Sequence, residues 1–284
     1  MPNDHWSPSA RQIERETVRR HLSRRSATVA SIATVVVLGT LLLVVLTSPG
    51  WPRVQETFFS WQHAKAAFPE VIKGFGKNIA IFLIAEPVIL VVGALVAIVR
   101  STTAPVLFPL RLVAVAYTDL FRGVPTLLVV LLCGFGLPAL QLQGITNSLF
   151  WLGTFALVLS YGAYVAEVFR AGIESIHPSQ IASAEALGLS HAQTMRHVVL
   201  PQATRRVVPP LLNDFISLQK DTALLAIIGV FEALFNARDY GAYHFNYTPY
   251  VVVAVLFVAL TIPLARFTDW LGRRAMRRER AGTR

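Results

Sequence analysis

Glu167-Val168-Phe169-Arg170-Ala171-Gly172-Ile173-Glu174 opens a polar stretch that continues through His177-Pro178-Ser179-Gln180, Ala186-Leu187-Gly188-Leu189-Ser190 and Leu200-Pro201-Gln202-Ala203 to Lys220-Asp221-Thr222. On either side lie blocks long and apolar enough to cross a bilayer. A compact polar knob held outside a membrane between two spans is a surface that a soluble partner can grip. Its local signals are those of two short helices. His177-Pro178 marks a start, because proline is favoured at the first helical position. Residues 179–187 contain no helix breaker, and Gly188 follows where a left-handed residue closes a helix. Ser190 with Gln193 three residues later forms a capping box for the second helix, and Pro201 is expected to stop it. The narrow surface of Ala182, Ser183, Ala184 and Ala186 suits docking of a helix into a groove. A re-entrant or interfacial helix pair without a partner is the other reading of these residues.

Outside this stretch the composition points to the membrane. The chain of 284 residues is 54% hydrophobic and 15% charged, with a mean hydropathy of +0.53. Soluble domains carry about 25% charged residues. The formal net charge of +10 is gathered at the ends, with arginines at 11, 15, 19, 20, 24 and 25 and again at 266, 273, 274, 277, 278, 280 and 284. Basic clusters flanking apolar spans mark cytoplasmic ends, and no soluble fold carries them as a nucleic-acid surface. The single cysteine, Cys133, sits in an apolar run and permits no disulfide or zinc framework within the chain. The apolar run from Thr28 to Leu46 exceeds the roughly 7–15 residues of a signal-peptide core and lacks a small-residue cleavage site after it. It is expected to remain as a first helix.

Five further blocks follow, at about 74–99, 105–137, 148–169, 206–235 and 250–270. The expected fold is therefore an all-α integral membrane protein of about six transmembrane helices, with the knob, 171–205, between the fourth and fifth. Six spans return the chain to its starting side. Both arginine-rich tails (1–27 and 271–284) and the knob then share the cytoplasm, and connections 48–72, 138–147 and 236–249 face outward. Arg122-Gly123-Val124-Pro125 interrupts the third block and is expected to bend or break it. Trp51, Trp151, Tyr247, Tyr250 and Trp270 near block ends fit interfacial anchors or ordinary packing aromatics.

Ionisable groups inside spans are costly, about 2.5–3.5 kcal/mol at the centre, and point to function. Glu86 lies in the middle of the second block, before Pro87. It either faces a translocation path and meets a cationic group of the substrate, or is a structural carboxylate paired with Lys220 or hydrogen-bonded to a neighbouring helix. Asp119 and Arg122 are spaced to pair on one helical face. Asn213, Asp214, Ser217 and Asp221 give the fifth span a polar stripe that lines a cavity or is buried against partner helices. Lys220-Asp221 is alternatively a fixed pair. The seven histidines fall in tails or loops without the spacing of a metalloenzyme, and no phosphate-binding Gly-x4-Gly-Lys-Ser/Thr loop occurs. The chain is thus expected to be no enzyme and to carry no metal or cofactor.

In order and spacing, these motifs resemble the binding-protein-dependent ABC importer permeases, specifically the polar amino-acid group. The resemblance rests on Phe121-Arg122-Gly123-x-Pro125, Tyr164-x-x-Glu167-x-x-Arg170, Gln180, Ala184, Ala186-Leu187-Gly188, Leu200-Pro201-Gln202-Ala203 and Lys220-Asp221-Thr222, and covers about residues 72–270. It implies a permease domain in a bacterial inner membrane, with Gln180, Ala182, Ser183, Ala184, Glu185, Ala186, Leu187 and Gly188 forming the coupling loop. It also implies two copies of an ATP-binding subunit holding the ATP and magnesium, a second permease subunit of the same or another kind, and an extracytoplasmic binding protein that delivers a polar amino acid. Glu86, Asn213, Asp214, Ser217 and Asp221 are then candidate path residues. Arg122, Gly123, Pro125, Glu167, Arg170, Pro201 and Lys220 are structural. The chain departs from the family pattern at Ala182, where an acidic residue is usual, at Ser179 in place of glycine, and in its first span, 28–47. A secondary transporter of small polar solutes is the alternative. It would show an internal repeat, and no second copy of the Arg122-Gly123-Val124-Pro125 or Gly188-Leu189-Ser190 element is found.

Overall fold

The computed structural model describes residues 9–102, 104–144 and 146–281. Of the arginine-rich ends, residues 1–8 and 282–284, and the side chains of Arg19, Arg20, Arg24, Arg25, Arg274, Arg277, Arg278 and Arg280, lie outside the described residues. The regular structure is helical throughout, and the chain divides into two units, Met1–Glu56 and Thr57–Arg284.

In the first unit α1 runs Ala10–Leu46, with the Ser9 hydroxyl accepting from the Gln12 amide. It starts well before the apolar run, so much of the expected tail is helical. Every side chain from 26 to 46 is exposed, and Ser26–Leu46 is long and apolar enough to cross a membrane. A helix apolar on all sides belongs in hydrocarbon or a buried core. The division between the units falls within α2 (Trp51–Phe58).

The second unit begins with α3 (Trp61–Ser101), 41 residues long. Its first turns lie where a loop was expected. They are helical because Ala67, Val71 and Phe75 bury against Ala233, Ala237 and Val253. A 3₁₀ turn, Pro105–Leu107, leads into α4 (Phe108–Gly123); α5 (Thr126–Leu131), a π turn (Leu132–Gly136) and α6 (Leu137–Ala139) follow. The axis bends by 106° between Gly123 and Thr126, at the predicted break. Proline forces its predecessor out of the helical region, and Val124 is extended at ψ 131°. Next come α7 (Leu149–Glu174), α8 (Pro178–Ala186) and α9 (His191–Thr194). A π turn (Met195–Val199), α10 (Leu200–Asp221), a 3₁₀ segment (Thr222–Ile228), α11 (Ala233–His244) and α12 (Thr248–Ala281) complete the chain.

Two expectations are corrected. Pro201 does not end the second knob helix. The Leu200 amide bonds to the Met195 carbonyl, a π-type step, and helix continues from 191 to 221. The wider turn takes in proline's missing N–H and ring without a break. The fifth block is not one helix either. It divides after Asp221 into the 3₁₀ segment, a left-handed Gly229 (φ +92°) and a new helix capped by Glu232. The 3₁₀ segment is pressed into the core. A Cβ at Gly134 would lie 2.7 Å from Ile228, and one at Gly153 would lie 2.6 Å from Leu225. Only bare backbone permits that approach.

The main core joins α3, α5, α7 and the 3₁₀ segment around Ile81, Ile89, Val130, Leu157 and Leu225. Among the described residues four single helices and the bent pair are long and apolar enough to span a membrane. α10 is not among them, since Arg205, Arg206, Asp214, Lys220 and Asp221 load it with charge, so five of the six expected spans are found by length and composition.

Candidate functional site

The knob stands at one end of the bundle. Nδ1 of His177 accepts from the Ser179 amide and caps α8. At the other end of α8, the Gly188 amide bonds to the Glu185 carbonyl and the Leu189 amide to the Ala184 carbonyl, at 2.9 and 3.2 Å. This is the Schellman pattern, and it requires the left-handed Gly188, whose φ is +84°. The capping box follows, with the Ser190 amide donating to Gln193 Oε1 at 2.8 Å and the Gln193 amide to Ser190 Oγ. Ala184 faces inward; Gln180, Ala182, Ser183, Glu185, Ala186 and Gly188 are exposed, and Leu187 is 82% exposed at the tip. The outward face is small and carries one carboxylate, that of Glu185.

Behind the knob, Glu167 collects cations. Arg100 Nη1 lies 2.9 Å and Arg122 Nη1 3.5 Å from its Oε2, and Arg170 bonds both its oxygens while also bonding Glu174. Arg122 therefore pairs with Glu167 on α7 and not with the expected Asp119, which is exposed. Only its place at a span end marked Arg100 beforehand.

Farther into the bundle, Glu86 on α3 and Asp214 on α10 are close enough to interact electrostatically. Asp214 Oδ2 is buried and, among the described residues, has no hydrogen-bond partner. One turn or two along α10, Ser217 and Asp221 are half-buried, and Tyr161 of α7 donates to Asp221 Oδ2 at 2.8 Å. Asn213 is exposed, off this face. Lys220 is exposed and, among the described residues, pairs with neither Glu86 nor Asp221, so both fixed-pair expectations are set aside. The structure thus gathers Glu86, Asp214, Ser217 and Asp221, and adds Tyr161, which no motif in the sequence singled out.

A second polar group lies beyond Asp221. Glu232 is wholly buried, accepting from Asn78 Nδ2 at 2.8 Å and from the amides of Leu234 and Phe235. Asn78 also donates to Thr222 and accepts from the Ala233 amide, and Gln219 accepts from Thr261. This network ties α3, α10, α11 and α12 beside the end of the polar stripe. Asn78 and Glu232 each stand in an apolar block, the one signal that marked them.

A bundle of membrane-spanning helices with a broken span, a capped external knob and an acidic interior is the architecture of a transport permease. The chain belongs to the family of binding-protein-dependent transport system inner membrane components, whose model matches residues 89–277. It is 33% identical over 210 residues to the probable glutamine ABC transporter permease protein GlnM of Bacillus subtilis (strain 168), spanning 73% of this chain and 94% of that one. To the arginine transport system permease protein ArtQ of the same organism it is 32% identical over 197 residues, 69% and 88% of the two chains. Among solved structures, an amino acid ABC transporter crystallised with histidines superposes with a TM-score of 0.69 at 29% identity, over 76% of this chain and 98% of that one. The MetNI methionine ABC transporter, at 20% identity and a TM-score of 0.59 over 72% of this chain and 95% of that one, shares the fold. The protein is a multi-pass inner-membrane permease.

Proposed function

We propose that this chain is the membrane-spanning subunit of an ATP-driven importer and forms the path for a polar amino acid delivered by an extracytoplasmic binding protein. The carrying observation is the knob: a short helix closed by the Schellman bend at Gly188, exposed along its outer face, in a chain of the importer-permease family. ATP and magnesium belong to a partner ATPase, two copies of which grip the knobs of two permease subunits. The knob and both termini lie in the cytoplasm. Family membership and the glutamine and arginine permeases among its relatives support an importer over a secondary transporter.

Glu86, Asp214 and Asp221 give the path a run of carboxylates, none of which forms a salt bridge among the described residues. Such a lining favours a substrate presenting positive charge, the ammonium group of any amino acid or a cationic side chain as well. Co-expression with its ATPase and uptake into proteoliposomes, over a panel of amino acids, tests this. Stoichiometric ATPase and saturable, ATP-dependent uptake are the expected result; a chain that transports without the ATPase sinks the importer reading. Glu86→Gln should lower uptake at limiting substrate by about tenfold, the loss of roughly 1.4 kcal/mol of interaction. Unchanged uptake and preference in a normally assembled complex would exclude Glu86 from the path.

A further inference from the structure

Glu167 sits where three mechanical parts meet. It lies on α7, whose last turn ends at Glu174 and leads into the knob through Ser175, Ile176 and His177. Arg170 bonds Glu167 and Glu174 together, and Arg206 of α10 bonds the Ser175 carbonyl, so the root of the knob is clamped to α7 and α10. Arg100 brings in the end of α3. Arg122 brings in the last turn of α4, immediately before the 106° bend.

The three guanidiniums share Glu167 Oε2 unequally. Arg100 is at 2.9 Å with its side chain 12% exposed, and Arg170 Nε is at 3.1 Å. Arg122 is at 3.5 Å and 40% exposed, the longest and wettest of the contacts. An exposed pair of this length is weak and easily exchanged with water, whereas the buried one is not. The cluster therefore has a fixed side, α3 with α7, and a releasable side, α4. Nothing in the acidic path or the knob surface requires that inequality.

We propose that Glu167 is the positioning residue that passes movement of the knob to the broken span, with Arg122 as the contact that is made and released. This rests on the reading of the knob as the ATPase-gripped surface. Displacing the knob moves the end of α7 and the carboxylate with it. Arg122 then follows or lets go, which changes the seating of the bend at Val124-Pro125 and of α5, the element packed on α7 through Val129 and Val130. Coupling requires an element with two arrangements that both ends bias, and the proposal assigns that part to the Arg122–Glu167 contact.

The test uses the complex of permease and ATPase subunits in proteoliposomes, with the binding protein. Radiolabelled glutamine or arginine imported per ATP hydrolysed is measured for wild type, Glu167→Gln and Arg122→Gln. A spin label at the exposed Leu128, in a Cys133→Ala background, reports ATP-dependent movement of α5. Both variants are expected to hydrolyse ATP while the solute-to-ATP ratio falls at least about fivefold, the lower end of ordinary coupling between sites. The Leu128 response should shrink with it, and the double variant should be no worse than either single one. Should Glu167→Gln fail to assemble, Arg122→Gln decides alone. A wild-type ratio and label response in the assembled variants overturns the proposal, as does a loss confined to the amount of complex. A wild-type permease that recruits no ATPase overturns the importer reading and takes this inference with it.

Discussion

Gly188 and Glu232 show two ways in which one residue is fixed. No heavy atom lies within 4 Å of a Cβ built on Gly188, so a side chain there meets no clash. The constraint is the backbone, φ +84°, which costs about 1–2 kcal/mol for most L-residues and less for asparagine. Gly188→Leu is therefore expected to loosen the bend and lower uptake per ATP, while Gly188→Asn retains most of it; equal activity of the two would show that the bend is dispensable. Glu232 is fixed by its surroundings instead. A wholly buried carboxylate is tolerated only while its donors are present, and among the described residues Asn78 supplies the one side-chain donor. Asn78→Leu should destabilise the permease by about 2 kcal/mol, read as a lowered thermal midpoint in detergent, because a buried carboxyl group loses a hydrogen bond. A midpoint unchanged from wild type would show that this hydrogen bond does not hold the fold. Gly188 was readable at once, through its place between an alanine-rich helix and a capping box. The partner of Glu232 was not, since it lies 154 residues away.

Elements were legible where their signals are local. Start and stop of α8, the capping box and the break at Val124-Pro125 stand in the structure where the residues set them. The errors came where tertiary packing overrides a local rule. Pro201 breaks a helix only if the preceding turn is α-type, and the π turn Met195–Val199 removes that condition. Pro201→Ala is accordingly expected to leave helix 191–221 intact and uptake within about twofold of wild type, the ordinary range of a neutral surface change of ±0.5 kcal/mol. A large loss of helicity or activity would mean that the proline sets the π turn. The division of the fifth block after Asp221 was hidden for the same reason. Thr222–Ile228 is as apolar as a helix, and its 3₁₀ path is selected by Gly134 and Gly153 on distant elements.

At the scale of the molecule, the orientation of the second unit follows from one assignment, that the knob is cytosolic. Cysteine at Ser183 should then react only with reagent supplied from the cytosolic side. Cysteine at the 84% exposed Phe245, on the turn between α11 and α12, should react from outside. The reverse pattern would invert the topology and remove the ATPase from the mechanism. Membrane class, the broken third span and the capped knob could all be read from the chain, because hydrophobic length, proline and cap chemistry act over a few neighbouring residues. Which charge meets which could not. Asp119 was the near neighbour of Arg122, yet Arg122 settles on Glu167, and Arg100 reaches the same carboxylate across 67 residues. Electrostatic pairing depends on distance in space and on burial, and those exist only once the helices have packed.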